Sequence, residues 1–103
     1  MIALKPGVRV GGIKPELLLA IMVLDDIFAS AGQPFIITAL TDGQHMPESK
    51  HYTGHAVDIR TRDVNNPAGL AAKAKERLGM DYDVLFEGAG TENQHLHIEF
   101  DPK

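Results

Sequence analysis

The sequence contains no cysteine among its 103 residues, and this absence excludes two kinds of site. Without cysteine the chain can form neither a disulfide framework nor a thiolate metal site. A transition-metal site here must therefore use His, Asp or Glu ligands. The redox compartment stays open, because cytosolic and exported proteins can both lack cysteine.

Long apolar runs are also absent. The longest covers residues 17–24 and is much shorter than the ~20 residues that cross a bilayer, so we expect no membrane span. The first residues, MIALKPG, lack the charged start, long apolar stretch and small-residue cleavage site of a signal peptide. The localisation stays open. A protein that is cytoplasmic until something else releases it fits these features.

An excess of positive charge is missing as well. The net charge is −4, and the ten Lys and Arg residues are scattered, so we expect no nucleic-acid partner. Apolar residues make up 44% of the chain and charged residues 23%, which is typical of a soluble globular protein. The length predicts one domain over residues 1–103, with a monomer as the default state.

The periodicity of apolar residues predicts an α+β domain with two main helices on an antiparallel or mixed sheet. Residues 8–13 alternate weakly and contain two glycines, so they are expected to form a short edge strand or an arm. Residues 41–49 are expected to form a loop, because they combine Asp-Gly and Met-Pro. The predicted helices cover 16–31 and 67–78, and the predicted strands cover 35–40, 56–60, 82–87 and 95–100, the last two as a terminal hairpin.

Two short segments contain the residues that indicate chemistry. His51 lies at the end of the predicted loop, and Asp58 follows seven residues later on a strand whose opposite face is apolar. His95 and His97 are two apart on the last predicted strand, so their side chains share one polar face. Gly54 allows the loop to turn tightly and bring the His51 imidazole back over the strand.

Two imidazoles and one carboxylate are a common zinc ligand set, and three protein ligands leave a fourth position for water. Zinc lowers the pKa of that water toward ~7. His51, Asp58 and His97 are therefore candidate zinc ligands, with His95 beside them. The alternative is a metal-free, hydrogen-bonded cluster in which the aspartate accepts a hydrogen bond from a histidine ring.

The pattern S-x-H-x-x-G-x-A-x-D over residues 49–58, followed by H-x-H over 95–97, resembles the zinc D-alanyl-D-alanine carboxypeptidases and their relatives. These are peptidases of the hedgehog/DD-peptidase fold and include phage endolysins. The resemblance covers residues 38–101. It implies a small α+β fold with zinc on the sheet, His51, Asp58 and His97 as ligands, and hydrolysis of a peptide bond in peptidoglycan stem peptides.

The resemblance is incomplete at the general base. Many members carry a glutamate three residues before the last zinc ligand, where this sequence has Gln94, which cannot accept a proton. Relatives that lack the glutamate use the first histidine of H-x-H, so the resemblance assigns the catalytic role to His95. Glu87 and Glu92 are the alternatives if the glycine-rich loop folds back, but solvated loop charges are the simpler interpretation of both.

Members of this family also tend to carry an arginine before the first zinc ligand, and no arginine lies between Arg9 and Arg60 in this sequence. His45, Lys50 or Arg60 are the candidates to bind substrate or stabilise an oxyanion in its place, although solvated cations are the simpler interpretation. Two further residues are assigned supporting roles next to the ligands. Ser49 is expected to hydrogen-bond the loop, and Glu99 is expected to orient a ligand.

The sequence thus predicts a zinc metallopeptidase with a peptidoglycan peptide as substrate. The rival hypothesis is a non-catalytic, zinc-stabilised cell-wall-binding or structural module that has lost the general base. Gln94 and the missing arginine favour the rival.

Overall fold

The sheet separates the two helices from the face that carries the histidines. The computed structural model describes residues 1–43, 45 and 47–103, and over these residues it contains two helices and five strands. The predicted α+β class, with two main helices and a mixed sheet, is confirmed. In chain order the elements are β1 (Ile2–Leu4), α1 (Pro15–Ser30), β2 (Phe35–Ala39), β3 (Ala56–Arg60), α2 (Pro67–Leu78), β4 (Tyr82–Glu87) and β5 (His95–Phe100).

The strands lie in the order β1-β2-β3-β5-β4. β1 runs parallel to β2, and every other neighbouring pair is antiparallel. β4 and β5 pair directly, as the predicted terminal hairpin requires. The register of β5 fixes the site, because it sets Asp58 opposite His97 and both Arg60 and Glu87 opposite His95.

The hydrophobic core lies between the helices and one face of the sheet. α1 buries residues at helical spacing, and β3 and β5 turn alternate residues toward them. Because successive strand residues point to opposite faces, Asp58, His95 and His97 lie on the face away from the helices. The fully buried side chains of this core include Leu17, Leu24, Phe28, Val57, Ile59, Leu96 and Ile98.

The helix boundaries have clear local causes. α1 begins with proline at its first position, one residue earlier than predicted. α2 has the predicted bounds, since the side chain of Asn66 accepts a hydrogen bond from the N–H of Gly69 at its start and Gly79 follows its end. Neither of these helices is long and apolar enough to cross a membrane.

Of the two predictions for residues 8–13, an edge strand or an arm, the structure shows the arm, and the first strand lies elsewhere. Residues 8–13 form no strand but a turn at Gly11-Gly12 within an arm, with a φ of +86° at Gly12. The edge strand is β1 instead, which precedes this arm in the sequence and pairs with β2 in a parallel, non-local arrangement. The arm is fixed to the predicted loop by the Thr41 hydroxyl, which donates to the carbonyl of Gly11 at 2.8 Å. Gln44 and Met46 of that loop lie outside the described residues.

Candidate metal centre

His97 lies on the sheet with a carboxylate on each side of its ring. Its Nδ1–H donates to Oδ1 of Asp58 at 2.8 Å, and its Nε2–H donates to Oε1 of Glu99 at 2.8 Å. Burial opposes the charged ring, but the hydrogen bonds to Asp58 and Glu99 and the nearby negative charges outweigh it and raise the pKa of His97 to about 9. Without a metal, the ring is therefore an imidazolium that bridges two carboxylates.

His51 reaches the same aspartate from the loop between β2 and β3. Its Nδ1–H donates to the Leu40 carbonyl oxygen at 2.6 Å, which fixes the tautomer and leaves a lone pair on Nε2. Nε2 lies 3.2 Å from Oδ1 of Asp58. The residue is 1% exposed, and Nε2 has no hydrogen-bond partner among the described residues. Either a proton on Nε2 or a metal cation between Nε2 and the Asp58 carboxylate would satisfy both atoms.

The position of His51 depends on a tight turn in its loop. The Ser49 hydroxyl accepts a hydrogen bond from the His51 backbone N–H at 3.1 Å, which is the loop contact predicted for Ser49. Gly54 has a φ of +80°, and its carbonyl accepts from the backbone N–H of Lys14 at 3.0 Å. A side chain at Gly54 would collide with the carbonyl of Gly12. The loop is thereby held against the arm that precedes α1.

His45 stacks on His51, a contact that the sequence did not suggest. The two ring centroids are 3.9 Å apart and the rings are 10° from parallel. His45 Nε2–H donates to the Asp42 carbonyl at 2.8 Å, and the Tyr52 hydroxyl accepts from the backbone N–H of His45 at 2.7 Å. One ligand atom from each of His45, His51 and Asp58 lies within 4.8 Å of the other two, so these three residues could hold a metal ion.

Asp58 is the residue that the three imidazoles of the sheet and the loop share. Its Oδ1 lies 2.8 Å from His97 Nδ1, 3.2 Å from His51 Nε2 and 3.8 Å from His95 Nε2. Burial raises the pKa of the Asp58 carboxyl, but the imidazoles of His51 and His97 and the charge of His95 more than offset it. The pKa of Asp58 therefore lies well below its ordinary value, which favours the charged carboxylate.

His95 is positioned beside Asp58 rather than hydrogen-bonded to it. Its Nδ1–H donates to the Asn93 carbonyl at 2.6 Å, and its Nε2 faces Oε1 of Glu87 at 3.0 Å. Because Nδ1–H is bonded to a backbone carbonyl, Nε2 is the ring nitrogen that faces the carboxylates of Glu87 and Asp58. Glu87, which the sequence offers as an alternative base, lies at the end of β4 next to His95, where its carboxylate can orient the ring.

Gln94 forms its hydrogen bonds outside this group. The amide of Gln94 donates to the Thr61 hydroxyl at 2.9 Å, and its carbonyl accepts from the backbone N–H of Gly90 at 3.0 Å. Gln94 thus holds the turn between β4 and β5 to the end of β3. Glu92 is an exposed residue of the same turn.

The histidines and Asp58 line a cleft of about 630 Å³ between the sheet and the loop, which we term the histidine cleft. Its lining includes His45, His51, Asp58, Glu87, His95 and His97, with Ser49, Lys50 and Glu99 at its walls. Arg60, a candidate for the missing arginine, does not line it. Its Nη1 lies 3.3 Å from Oδ2 of Asp63, and its side chain faces an adjoining cleft.

A second acidic group, Asp83, Glu99 and Asp101, also has ligand atoms within 4.8 Å of one another. The Lys103 ammonium donates to Asp83 at 3.3 Å and to Asp101 at 3.2 Å, and Glu99 pairs with His97, so each of the three carboxylates already has a cationic partner within the chain when His97 is protonated.

Two contacts of the site differ in how far the sequence predicts them: Glu87 with His95, and His45 with His51. Glu87 against His95 follows from the hairpin, because antiparallel pairing across the 88–94 connection sets these two residues opposite each other. The stacking of His45 depends on loop conformation and has no periodic signal.

Comparison with known proteins gives no identification. No protein-family model matches the chain, and no curated protein and no solved structure is significantly similar to it.

Proposed function

We propose that this protein is a zinc metallopeptidase that hydrolyses a peptide bond in the stem peptides of bacterial peptidoglycan. One observation supports it above the others: the buried, unpartnered Nε2 of His51 faces the Asp58 carboxylate at 3.2 Å. The resemblance of the 49–58 and 95–97 motifs to zinc D-alanyl-D-alanine carboxypeptidases adds the substrate class and the choice of zinc.

The proposed ligands are Nε2 of His51, Asp58 and Nδ1 of His97. Both imidazoles are already oriented by a partner on their far side: the Leu40 carbonyl holds His51 and the Glu99 carboxylate holds His97. Such outer contacts fix ring orientation and increase ligand basicity. Histidine and carboxylate side chains are donors that zinc accepts. His45 is a further candidate ligand, since its ring lies over that of His51.

Zinc in such a site polarises a carbonyl group and activates water for attack. The chain's own part is proton transfer at His95. Water adds to the scissile carbonyl carbon, the C–N bond breaks, and the proton that water loses passes through Nε2 of His95 to the amine that leaves. Glu87, 3.0 Å from that nitrogen, stabilises the ring while it carries the proton.

The second candidate function is a non-catalytic module in which zinc only stabilises the fold. The anchored amide of Gln94 and the stacked ring of His45 favour it. A fourth protein ligand would complete the tetrahedral set, and closed sets are typical of structural zinc.

Metal content is the first test. Protein purified without added zinc is expected to contain about one equivalent of zinc per chain by mass spectrometry of the metals. His51→Ala should lose it, and His55→Ala, a histidine outside the histidine cleft, should keep it. Absence of zinc together with no affinity for added zinc would contradict both candidate functions.

An activity assay distinguishes the peptidase from the non-catalytic module. Zinc-loaded protein is incubated with purified peptidoglycan and with soluble muropeptides, and the products are identified by mass spectrometry. The peptidase hypothesis predicts a defined new terminus, lost in His95→Ala although that variant retains its zinc, and present in His55→Ala. If zinc-loaded wild-type protein cleaves none of these substrates, the structural module is the better description.

A further inference from the structure

A second cleft, of about 350 Å³, adjoins the histidine cleft and shares Asp58 and His95 with it. Its other lining residues include three cations, Lys5, Arg60 and Arg62. We term it the cationic cleft. Asp58 and His95 therefore lie at the boundary of the two clefts, where a molecule that occupied both would contact them.

The three cations come from two parts of the chain, the ends of β1 and β3, which the sheet brings together. Arg60 follows Asp58 by two residues on the same face of β3 and lies opposite His95 on β5. Lys5 follows β1, where its backbone N–H donates to the Ile37 carbonyl at 2.9 Å. Arg62 comes directly after β3. A cleft assembled by long-range pairing in this way is part of the fold rather than a mobile surface feature.

The charges of this cleft are only partly neutralised. Arg60 pairs with Asp63 at 3.3 Å, but Asp63 is half exposed. Within residues 1–43, 45 and 47–103, neither Lys5 nor Arg62 forms an ion pair. The opposing charge is Glu92 on the exposed turn, since the charge of Asp58 is already bound by imidazoles. A concave surface with excess cations attracts an anionic ligand group.

We propose that the cationic cleft binds a carboxylate of the peptide substrate, one or two residues from the bond that is cleaved. This inference rests on the proposed function. Residues two apart on a strand are ~7 Å apart, and an extended peptide rises by ~3.3–3.6 Å per residue. A peptide with its scissile bond at Asp58 and His95 therefore places a group one or two residues away beside Arg60. The guanidinium group of arginine binds a carboxylate through two parallel hydrogen bonds.

Two carboxylates of a stem peptide have this chemistry: the C-terminal carboxylate and the free α-carboxylate of γ-linked D-glutamate. Three versions of the pentapeptide L-Ala-γ-D-Glu-L-Lys-D-Ala-D-Ala separate them: the free acid, the C-terminal amide, and the peptide with D-isoglutamine in place of D-glutamate. Affinity is measured by calorimetry with the whole protein in the presence of a chelator, where nothing is cleaved. Cleavage of the same peptides is then followed with zinc-loaded protein.

One of the two amidations is expected to weaken binding at least about tenfold, because a hydrogen-bonded charge pair is lost; the amide that does so identifies the bound carboxylate. Lys5 and Arg62 are both exposed. In Arg62→Gln and in Lys5→Gln, the ratio of the affinities for the free acid and the amide should fall below about threefold. Lys73→Gln on α2, which removes the same charge elsewhere, should keep the full difference.

Equal affinity for the three peptides, or no binding of any, would overturn the inference, as would a full preference for the acid in an Arg60→Gln, Arg62→Gln double variant. Failure of the proposed function gives a different result: the carboxylate preference in binding remains, and zinc-loaded protein cleaves none of the peptides. Cleavage of all three with equal affinities would contradict the cationic cleft alone.

Discussion

At the scale of single residues, His51 serves the fold and the candidate site with different ring nitrogens. The hydrogen bond from Nδ1 to the Leu40 carbonyl orients the ring, so Nε2 faces Asp58 before any ligand arrives. A donor that is already oriented loses little conformational freedom on binding. His97 is oriented in the same way by Glu99, whereas His45 is held by the neighbouring Asp42 carbonyl of its own loop.

Zinc affinity of single histidine variants tests this difference. His51→Ala and His97→Ala are each expected to weaken zinc binding at least ~100-fold, more than the ~10-fold typical of a mild outer-shell change, while His45→Ala should cost less than ~10-fold. A competing chelator of known affinity gives the dissociation constants, with His55→Ala as control. A loss in His45→Ala as large as that in His97→Ala would make His45 a fourth ligand and favour the structural module.

At the scale of elements, the loop between β2 and β3 is held in place by one glycine. Gly54 and Gly90 have the same φ of +80°, but only Gly54 faces a neighbour: a Cβ there would meet the Gly12 carbonyl, and a Cβ on Gly90 would meet nothing within 4 Å. A side chain at either position would therefore have the energetic cost of a left-handed backbone, but only a side chain at Gly54 would also collide with a neighbour.

Gly54→Ala and Gly90→Ala form a matched pair for this reason. Gly90→Ala is expected to lower the free energy of unfolding by ~1–2 kcal/mol, the cost of a side chain in this backbone region. Gly54→Ala should cost clearly more, by an additional ~1–3 kcal/mol, and should weaken zinc binding because the loop carries His51. Urea unfolding of the metal-free variants measures the first effect. Equal costs at the two positions would show that the contact with Gly12 is unimportant.

Local sequence was sufficient for most elements and insufficient for the first. β3, α2, β4 and β5 have the predicted bounds, because alternation, an asparagine cap and glycine stops are local signals. β1 was missed because three exposed residues become a strand only by pairing with β2, which is distant in sequence. In the site, Asp58 opposite His97 follows from strand register. The stacked His45 does not, since no period governs a loop.

At the scale of the whole molecule, the site makes the stability of the metal-free protein depend on pH in both directions. Burial raises the pKa of Asp58, but the neighbouring imidazoles outweigh it and leave the pKa below its ordinary value of 3.8. The contribution of Asp58 to the free energy of unfolding is therefore present above pH 3.8 and is lost as the pH falls. The pKa of His97 is raised from 6.5 to about 9. The contribution of His97 to the free energy of unfolding is therefore fully present below pH 6.5 and is lost as the pH rises through 9.

The urea midpoint of metal-free protein is therefore expected to be highest between about pH 4 and 6.5 and to fall toward pH 9. His97→Gln, which cannot titrate in this range, should remove the alkaline fall. Zinc should also remove it, because the metal takes the place of the proton on His97. A wild-type midpoint that stays constant from pH 6.5 to 9 in chelator would contradict the role given to His97.

The separation of core and site by the sheet has a consequence for how this sequence can change. From Val57 to Arg60 on β3, and along β5, side chains of the hydrophobic core alternate with side chains that face the clefts. A library that randomises only Arg60, Arg62, Leu85 and Glu87 would leave every buried core side chain intact. Selection for a new ligand could then explore many combinations while most of its members still fold, which makes the chain a practical scaffold for directed evolution.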